Sequence, residues 1–274
     1  MRGAFPTRLT AALALLVLVL AACSSASSGP TNAAGNAAAT EEIGDEEAVV
    51  EIEPGELQQS TEATADVSRP DPEAVVGSIV RIIGLGCGVP SIGTGFAVED
   101  QVVVTNAHLV AGRDPETLAV QTEDGTEFGA ELIAFDQDLD LALLRIPDAT
   151  FEPLNLVTEV PIVDGVAIGI RTNDGVNIIN EIEFTVDAPV IVNWDGVFRD
   201  TESRFRGLRM LADIRRGDSG SPLLINDQDV IGLVQSTTRN QPQGYAVGAE
   251  EIADFVTSIE DSDDADRVVI ERCT

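Results

Sequence analysis

From about residue 75 to residue 247 the chain is cut every few residues into short β-rich runs bounded by turn signals, and this spacing constrains the fold more than any other feature. A first group covers residues 75–83, 93–98, 102–105, 118–122, 127–135 and 141–146. A second covers 166–172, 177–187, 190–193, 206–212, 222–225, 230–235 and 244–247, with turns at Asn173-Asp174-Gly175 and Asn226-Asp227. Short strands with little helix between them predict an all-β barrel or sandwich, in two halves of about residues 75–150 and 160–248. The exception lies at 249–259. There Ile252, Ala253, Phe255, Val256 and Ile259 fall at helical spacing behind Glu250 and Glu251, predicting a short C-terminal helix packed on the second half. No repeat of fixed period points to a solenoid or propeller.

Charge narrows the function. Sixteen arginines and no lysine face 47 acids, for a formal net charge of −31. So acidic a chain lacks the basic patch that phosphate recognition requires, which excludes a nucleic-acid reader and a reader of anionic lipid. The length of 274 residues and 44% hydrophobic content supply enough apolar chain for a sizeable core, so wholesale disorder is excluded. The three cysteines show no Cys-x-x-Cys spacing, and no His-x-x-x-His accompanies them, so neither a metal nor a cofactor is expected.

The N-terminal region reads as an address. Arg2 and Arg8 precede an apolar run at 11–22 that is short for a permanent span, as in a secretory signal. It ends in Leu20-Ala21-Ala22-Cys23, which resembles the lipobox of bacterial lipoproteins. That resemblance implies removal of residues 1–22, lipid on Cys23 and anchoring to the bilayer on the extracytoplasmic side of the cell membrane. An ordinary signal peptide cut nearby is the alternative. Residues 24 to about 72 hold eleven acids against Arg69 and are rich in Ser, Ala, Gly and Thr. They cannot bury enough apolar surface to offset their ordering entropy, so residues 23–72 are expected to form a solvated tether ahead of a folded domain at 73–274. Cys87 and Cys273 remain, one near each end of that domain. An even pair in an exported domain is most simply a disulfide, with two unpaired thiols as the alternative.

Three segments carry the chemistry. The only histidine lies in Val104-Thr105-Asn106-Ala107-His108-Leu109-Val110, just after an apolar strand. Asp140 heads the apolar run Leu139-Asp140-Leu141-Ala142, with Asp136 and Asp138 close by. Ser219 sits in Gly217-Asp218-Ser219-Gly220-Ser221-Pro222. A serine hydroxyl becomes a useful nucleophile when a base within hydrogen-bond reach takes its proton, and His108 is the one imidazole available. Glycines on both sides of Asp218-Ser219 permit a tight turn with backbone amides free for an oxyanion.

The order His, Asp, Ser, together with Gly93-Thr94-Gly95-Phe96 ahead of the histidine strand, resembles the chymotrypsin-like serine peptidases, particularly the bacterial trypsin-like branch that includes the HtrA proteases. The resemblance covers about residues 75–258. It implies a double β-barrel with a short C-terminal helix, a polypeptide substrate, and a triad of His108 as base, Asp140 as its orienting acid and Ser219 as nucleophile. By alternation Asp138 would face as Asp140 does, but only Asp140 directly precedes the Leu-Ala run. The Gly217 and Ser219 amides would form the oxyanion hole. In the family the acid before the serine often pairs with a new N-terminus freed by cleavage. Here the chain continues upstream, so Asp218 needs another partner.

Asp213, six residues before Ser219, has the spacing of a primary-pocket acid for Arg or Lys substrates, although HtrA-like sequences often carry an acid there without that preference. Arg215 and Arg216 add positive charge near the mouth, and Gln235, Ser236, Thr237 and Tyr245 are expected in the pocket wall. Trp194 reads as a packing or pocket-wall residue. HtrA proteins generally append a PDZ domain, whereas only residues 260–274 follow the expected helix, so the peptidase domain is expected to be monomeric. The competing reading is a catalytically silent or partner-gated lipoprotein that uses the same fold as a binding module.

Overall fold

The protein is described from a computed structural model covering residues 49–50, 67–86, 89–159, 162–200, 202–237 and 242–260. The signal segment, Cys23, most of the tether, and the Cys87–Cys273 pair lie outside the described residues.

A two-residue strand, β1 (Val49–Val50), precedes a helical turn, α1 (Pro72–Val75). The turn has a local cause. Asp71 caps it by accepting the Glu73 amide at 3.1 Å, and Pro72 opens it. It runs on as a 3-10 turn over Val76–Ser78, so the first long strand starts at Ile79 rather than at residue 75.

The first sheet comprises β2 (Ile79–Ile83), then, beyond the small hairpin β3 (Leu85–Gly86) and β4 (Val89–Pro90), β5 (Gly93–Glu99) and β6 (Val102–Asn106). After the turn α2 (Ala107–Val110) come β7 (Ala119–Gln121), β8 (Glu127–Gly129), β9 (Glu131–Asp136) and β10 (Leu141–Arg145). Its order is β8-β7-β2-β5-β6-β10-β9. Only Ala130 separates β8 from β9, and its amide donates to the Leu118 carbonyl at 3.0 Å, so one continuous segment joins the two edges and the sheet closes.

The second sheet is built from β11 (Asn155–Leu156), β12 (Asp164–Asn173), β13 (Val176–Trp194), β14 (Ser203–Ala212), β15 (Pro222–Leu224), β16 (Asp229–Thr237) and β17 (Gln243–Gly248). Its path β13-β12-β15-β16-β17-β14 returns to β13 through the β13–β14 pairing, which closes a second barrel; β1 adds to β13, and β11 lies parallel to β16. The fold is therefore a chymotrypsin-like double barrel, followed by α3 (Ala249–Glu260). One expectation needs correction. The runs 177–187 and 190–193 form a single strand, because a register shift between Val186 and Ala188 absorbs Asp187 without ending the ladder.

Alternation explains why β6 is buried on both faces. Val103 points into the first barrel with Val80, Ile82 and Leu144. Val104 joins Leu141 and Leu143 in a core shared with Ile168, Val190 and Leu233 of the second barrel. Each such side chain contributes about 1.5–3 kcal/mol by leaving water. That shared core fixes the two barrels against each other, and with them the turns that carry the candidate site.

Candidate active site

β6 is flanked by β5 and β10, and the chain leaves it directly into α2, which places His108 at the end of a doubly braced strand. Leu141 pairs with Asn106, so Asp140 arrives beside the same turn. Its carbonyl accepts the Ala107 amide at 3.0 Å and Asn106 Nδ2 at 3.2 Å. Its carboxylate accepts the His108 amide at 2.9 Å, while Oδ2 lies 2.8 Å from His108 Nδ1. Asp140 is 1% exposed and the imidazole 33%. A buried carboxylate on Nδ1 selects the tautomer with Nδ1–H, leaving Nε2 as an acceptor facing outward chemistry. Asp140 holds a left-handed φ of 56°, sparsely populated for a residue with a Cβ. The preceding turn supports it: Asp136 Oδ1 accepts the amides of Asp138 at 2.8 Å and Leu139 at 2.9 Å. Asp138 does something else, with Oδ1 accepting the Ser203 hydroxyl at 2.7 Å.

The Ser219 turn rests on the first barrel and is sewn into the second. The Thr94 amide donates to the Ser219 carbonyl at 2.8 Å, and Thr105 Oγ1 donates to the Thr94 carbonyl at 2.6 Å, which ties the turn to the strand that leads into His108. On the other side Gly220 donates to Val234 at 2.8 Å and Val234 to Ser221 at 2.9 Å. The Ser219 hydroxyl donates to the Gln235 carbonyl at 3.3 Å, long for a hydroxyl bond and therefore easily exchanged for a better acceptor. Gly217 and Gly220 have φ of 101° and 85°, and a Cβ on Gly220 would land on the Thr94 carbonyl oxygen. Both positions need glycine. Among the described residues the Gly217 and Ser219 amides have no protein acceptor, as an oxyanion hole requires.

Asp218 finds its partner inside the chain. Its fully buried carboxylate takes Arg171 through Nε at 2.9 Å and Nη2 at 2.5 Å, Asn180 Nδ2 at 3.0 Å and the Arg215 amide at 2.7 Å. Arg171 and Asn180 lie on β12 and β13, 47 and 38 residues from Asp218, so no local pattern announced them. The one available hint was an arginine directly following the buried run Ile168-Gly169-Ile170.

Gln235 occupies a bulge between Val234 and Ser236 and is buried, with Nε2 lacking a partner among the described residues. In the neighbouring ladder Ser236 faces Tyr245 and Thr237 faces Gly244. Asp213 points to solvent. Its side chain is 69% exposed and paired with Arg215, whose hydrogen bond, the larger effect, and charge together hold the carboxyl below the usual range. Trp194 is partly buried, packs against both cores, and donates its indole N–H to the Asp138 carbonyl at 2.9 Å.

The profile of the trypsin-like peptidase domain matches residues 93–233, a span that includes His108, Asp140 and Ser219. The chain belongs to that family. It is 27% identical over 197 residues to serine protease Rv3671c of Mycobacterium tuberculosis, covering 70% of this chain and 49% of that protein. It is 32% identical over 172 residues to the magnetosome formation protease MamE of Paramagnetospirillum magneticum, covering 58% of this chain and 22% of the relative. The chloroplastic protease Do-like 1 of Arabidopsis thaliana is also 32% identical, over 166 residues, 57% of this chain and 35% of the relative. The chain thus spans about half or less of the curated relatives' own length. Among solved structures, the active form of the Rv3671c protease superposes with a TM-score of 0.65 at 24% identity, covering 79% of this chain and 99% of that one. The inactive form gives 0.57 at 25% identity, covering 71% and 99%.

Proposed function

We propose that the chain is an exported serine endopeptidase, tethered by lipid on Cys23 to the extracytoplasmic face of the cell membrane, that cleaves polypeptides through Ser219, His108 and Asp140. The observation that carries this reading is the His108 imidazole held at 2.8 Å by the buried Asp140 carboxylate, on the turn after a strand tied through Thr105 and Thr94 to the Ser219 turn.

The chemistry follows from these groups. Ser219 Oγ attacks the scissile carbonyl carbon while its proton passes to His108 Nε2, and Asp140 stabilises the imidazolium without taking the proton. The Gly217 and Ser219 amides meet the oxyanion, each such donor being worth roughly 10²–10³ in rate. His108 then protonates the departing amine, leaving an acyl-enzyme on Ser219. Water attacks the ester, gives its proton to His108, and the carboxylic acid product leaves as the hydroxyl is restored. Arg171 keeps Asp218 in place without a freed N-terminus, so the turn needs no proteolytic activation.

The primary pocket is not basic-selective in this reading, since Asp213 is exposed and its charge is engaged by Arg215. Profiling full-length protein on a mixed peptide library, with Ser219→Ala as control, is expected to show Ser219-dependent cleavage after small or apolar residues. Predominant cleavage after Arg would overturn the pocket assignment, and no Ser219-dependent cleavage would overturn the activity. Metabolic lipid labelling that is lost in Cys23→Ala is the expected result for the anchor; labelling that persists would contradict it.

A further inference from the structure

The connection between β13 and β14 leaves the second barrel and lands on the first, on the turn just before Asp140. Four contacts make the landing. Trp194 Nε1 donates to the Asp138 carbonyl at 2.9 Å, and Ser203 Oγ to the Asp138 carboxylate at 2.7 Å. The Val197 amide donates to the Gln137 carbonyl at 3.3 Å, and Phe198 stacks on Phe135 with centroids 6.0 Å apart. Trp194 and Ser203 face each other as the last ladder pair of the two strands, so both hydrogen bonds to Asp138 come from one rigid rung.

We propose that Trp194 and Ser203 are positioning residues for Asp140, so that the second barrel, through Asp138, sets the orientation of the carboxylate that holds His108 in the first. The physical need is local. Asp140 sits in left-handed backbone, a conformation that persists only when its surroundings over-determine it. The turn's own bonds run from Asp136 to Asp138 and Leu139. Without the rung the turn keeps the Asp136 bonds to the Asp138 and Leu139 amides, but the Asp138 carbonyl and carboxylate lose their partners, so the residues leading into Asp140 are held from one side only. Neither Trp194 nor Ser203 touches the reacting atoms, and both act through Asp140.

The inference rests on the catalytic reading for its effect on rate, but its geometric content can be read separately. The chain has one histidine, so full-length protein carrying isotope-labelled histidine gives a single imidazole whose Nδ1–H resonance reports the Asp140 bond. Ser203→Ala is expected to shift and broaden that signal, Ser203→Thr to restore it, and Thr185→Ala, on the far part of β13, to leave it unchanged. Trp194→Phe, which keeps a ring but loses the donor, should behave as Ser203→Ala does. In turnover, Ser203→Ala is expected to lower kcat roughly tenfold with KM unchanged, as for a misplaced catalytic group. In an Asp140→Asn background, itself down about 10⁴-fold, the same change should add almost nothing. A His108 signal that ignores Ser203→Ala and Trp194→Phe would overturn the inference, as would a kcat loss of equal size in the Asp140→Asn background. A wild-type chain without turnover whose His108 signal still answers to Ser203 would instead sink the catalytic reading and leave the positioning intact.

Discussion

The turn that carries Ser219 and the turn that carries Asp140 are secured in opposite ways. The first is locked mainly from within its own barrel by charge: Asp218, fully buried, is held by Arg171 and Asn180 of the adjacent hairpin. The second is held across the barrel interface by neutral donors, Trp194 and Ser203, on Asp138. A buried ion is expensive to strand, so a charge lock acts as an all-or-none condition for the shape of the oxyanion turn. Bonds from neutral donors cost less to lose than a buried ion costs to strand, so this clamp adjusts geometry without deciding whether the domain folds.

Stranding the charge is the strongest way to break this comparison. Arg171→Met leaves Asp218 buried without its cation and is expected to cost about 3–5 kcal/mol in urea unfolding, with activity lost wherever the protein remains folded. Adding Asp218→Asn should restore most of that stability, because both charges then disappear together. If the double variant is no more stable than the single, the ion pair is not what secures the turn. Next in size is Gly220→Ala. Left-handed strain alone is worth about 1–3 kcal/mol, and the methyl group would meet the Thr94 carbonyl; thermal unfolding and peptide cleavage should both show the loss.

On the neutral side, Asp138→Ala removes the acceptor for Ser203 and is expected to cost about 1–2 kcal/mol in the same urea experiment. An effect as large as that of Arg171→Met would erase the distinction between the two turns. The smallest effect belongs to Asp213→Asn. Arg215 lowers the Asp213 pKa in the folded state, so whatever the pair contributes is present above the ordinary carboxylate value and is lost as pH falls through the depressed one. Both groups are exposed, and salt screens them. Unfolding curves at physiological salt should therefore nearly superimpose on wild type; any separation should appear at neutral pH and low salt and close at acid pH, where Asp213 is protonated, and the P1 profile should not change.

Much of this molecule was legible in the sequence because its signals are local. The strands announce themselves by short apolar runs between turn residues, and the helix by the spacing of Ile252, Phe255 and Ile259. His108 and Asp140 each head a recognisable pattern, and the structure brings those two within hydrogen-bond distance. Where local signals conflict, the reading slips. Asp71-Pro72-Glu73 starts a helical turn ahead of apolar residues that look like a strand, and Asp187-Ala188-Pro189 looks like a break although a bulge carries the ladder through it. What could not be read are the partners set by tertiary folding. Arg171 and Asn180 reach Asp218 from a hairpin far away in sequence, and Trp194 reaches Asp138 from the other barrel. The first contacts depend on how one sheet closes and the last on how the two barrels pack, and no run of neighbouring residues encodes either.

The most direct measurement is the intact mass of the full-length chain after exposure to a fluorophosphonate, beside Ser219→Ala and His108→Ala. A single adduct on wild type, absent from both variants, is the expected result, since it requires a nucleophile, a base and an oxyanion turn assembled together. A folded wild-type chain that takes no adduct, or an adduct that survives in Ser219→Ala, would contradict the assignment of Ser219, His108 and Asp140 as a working triad.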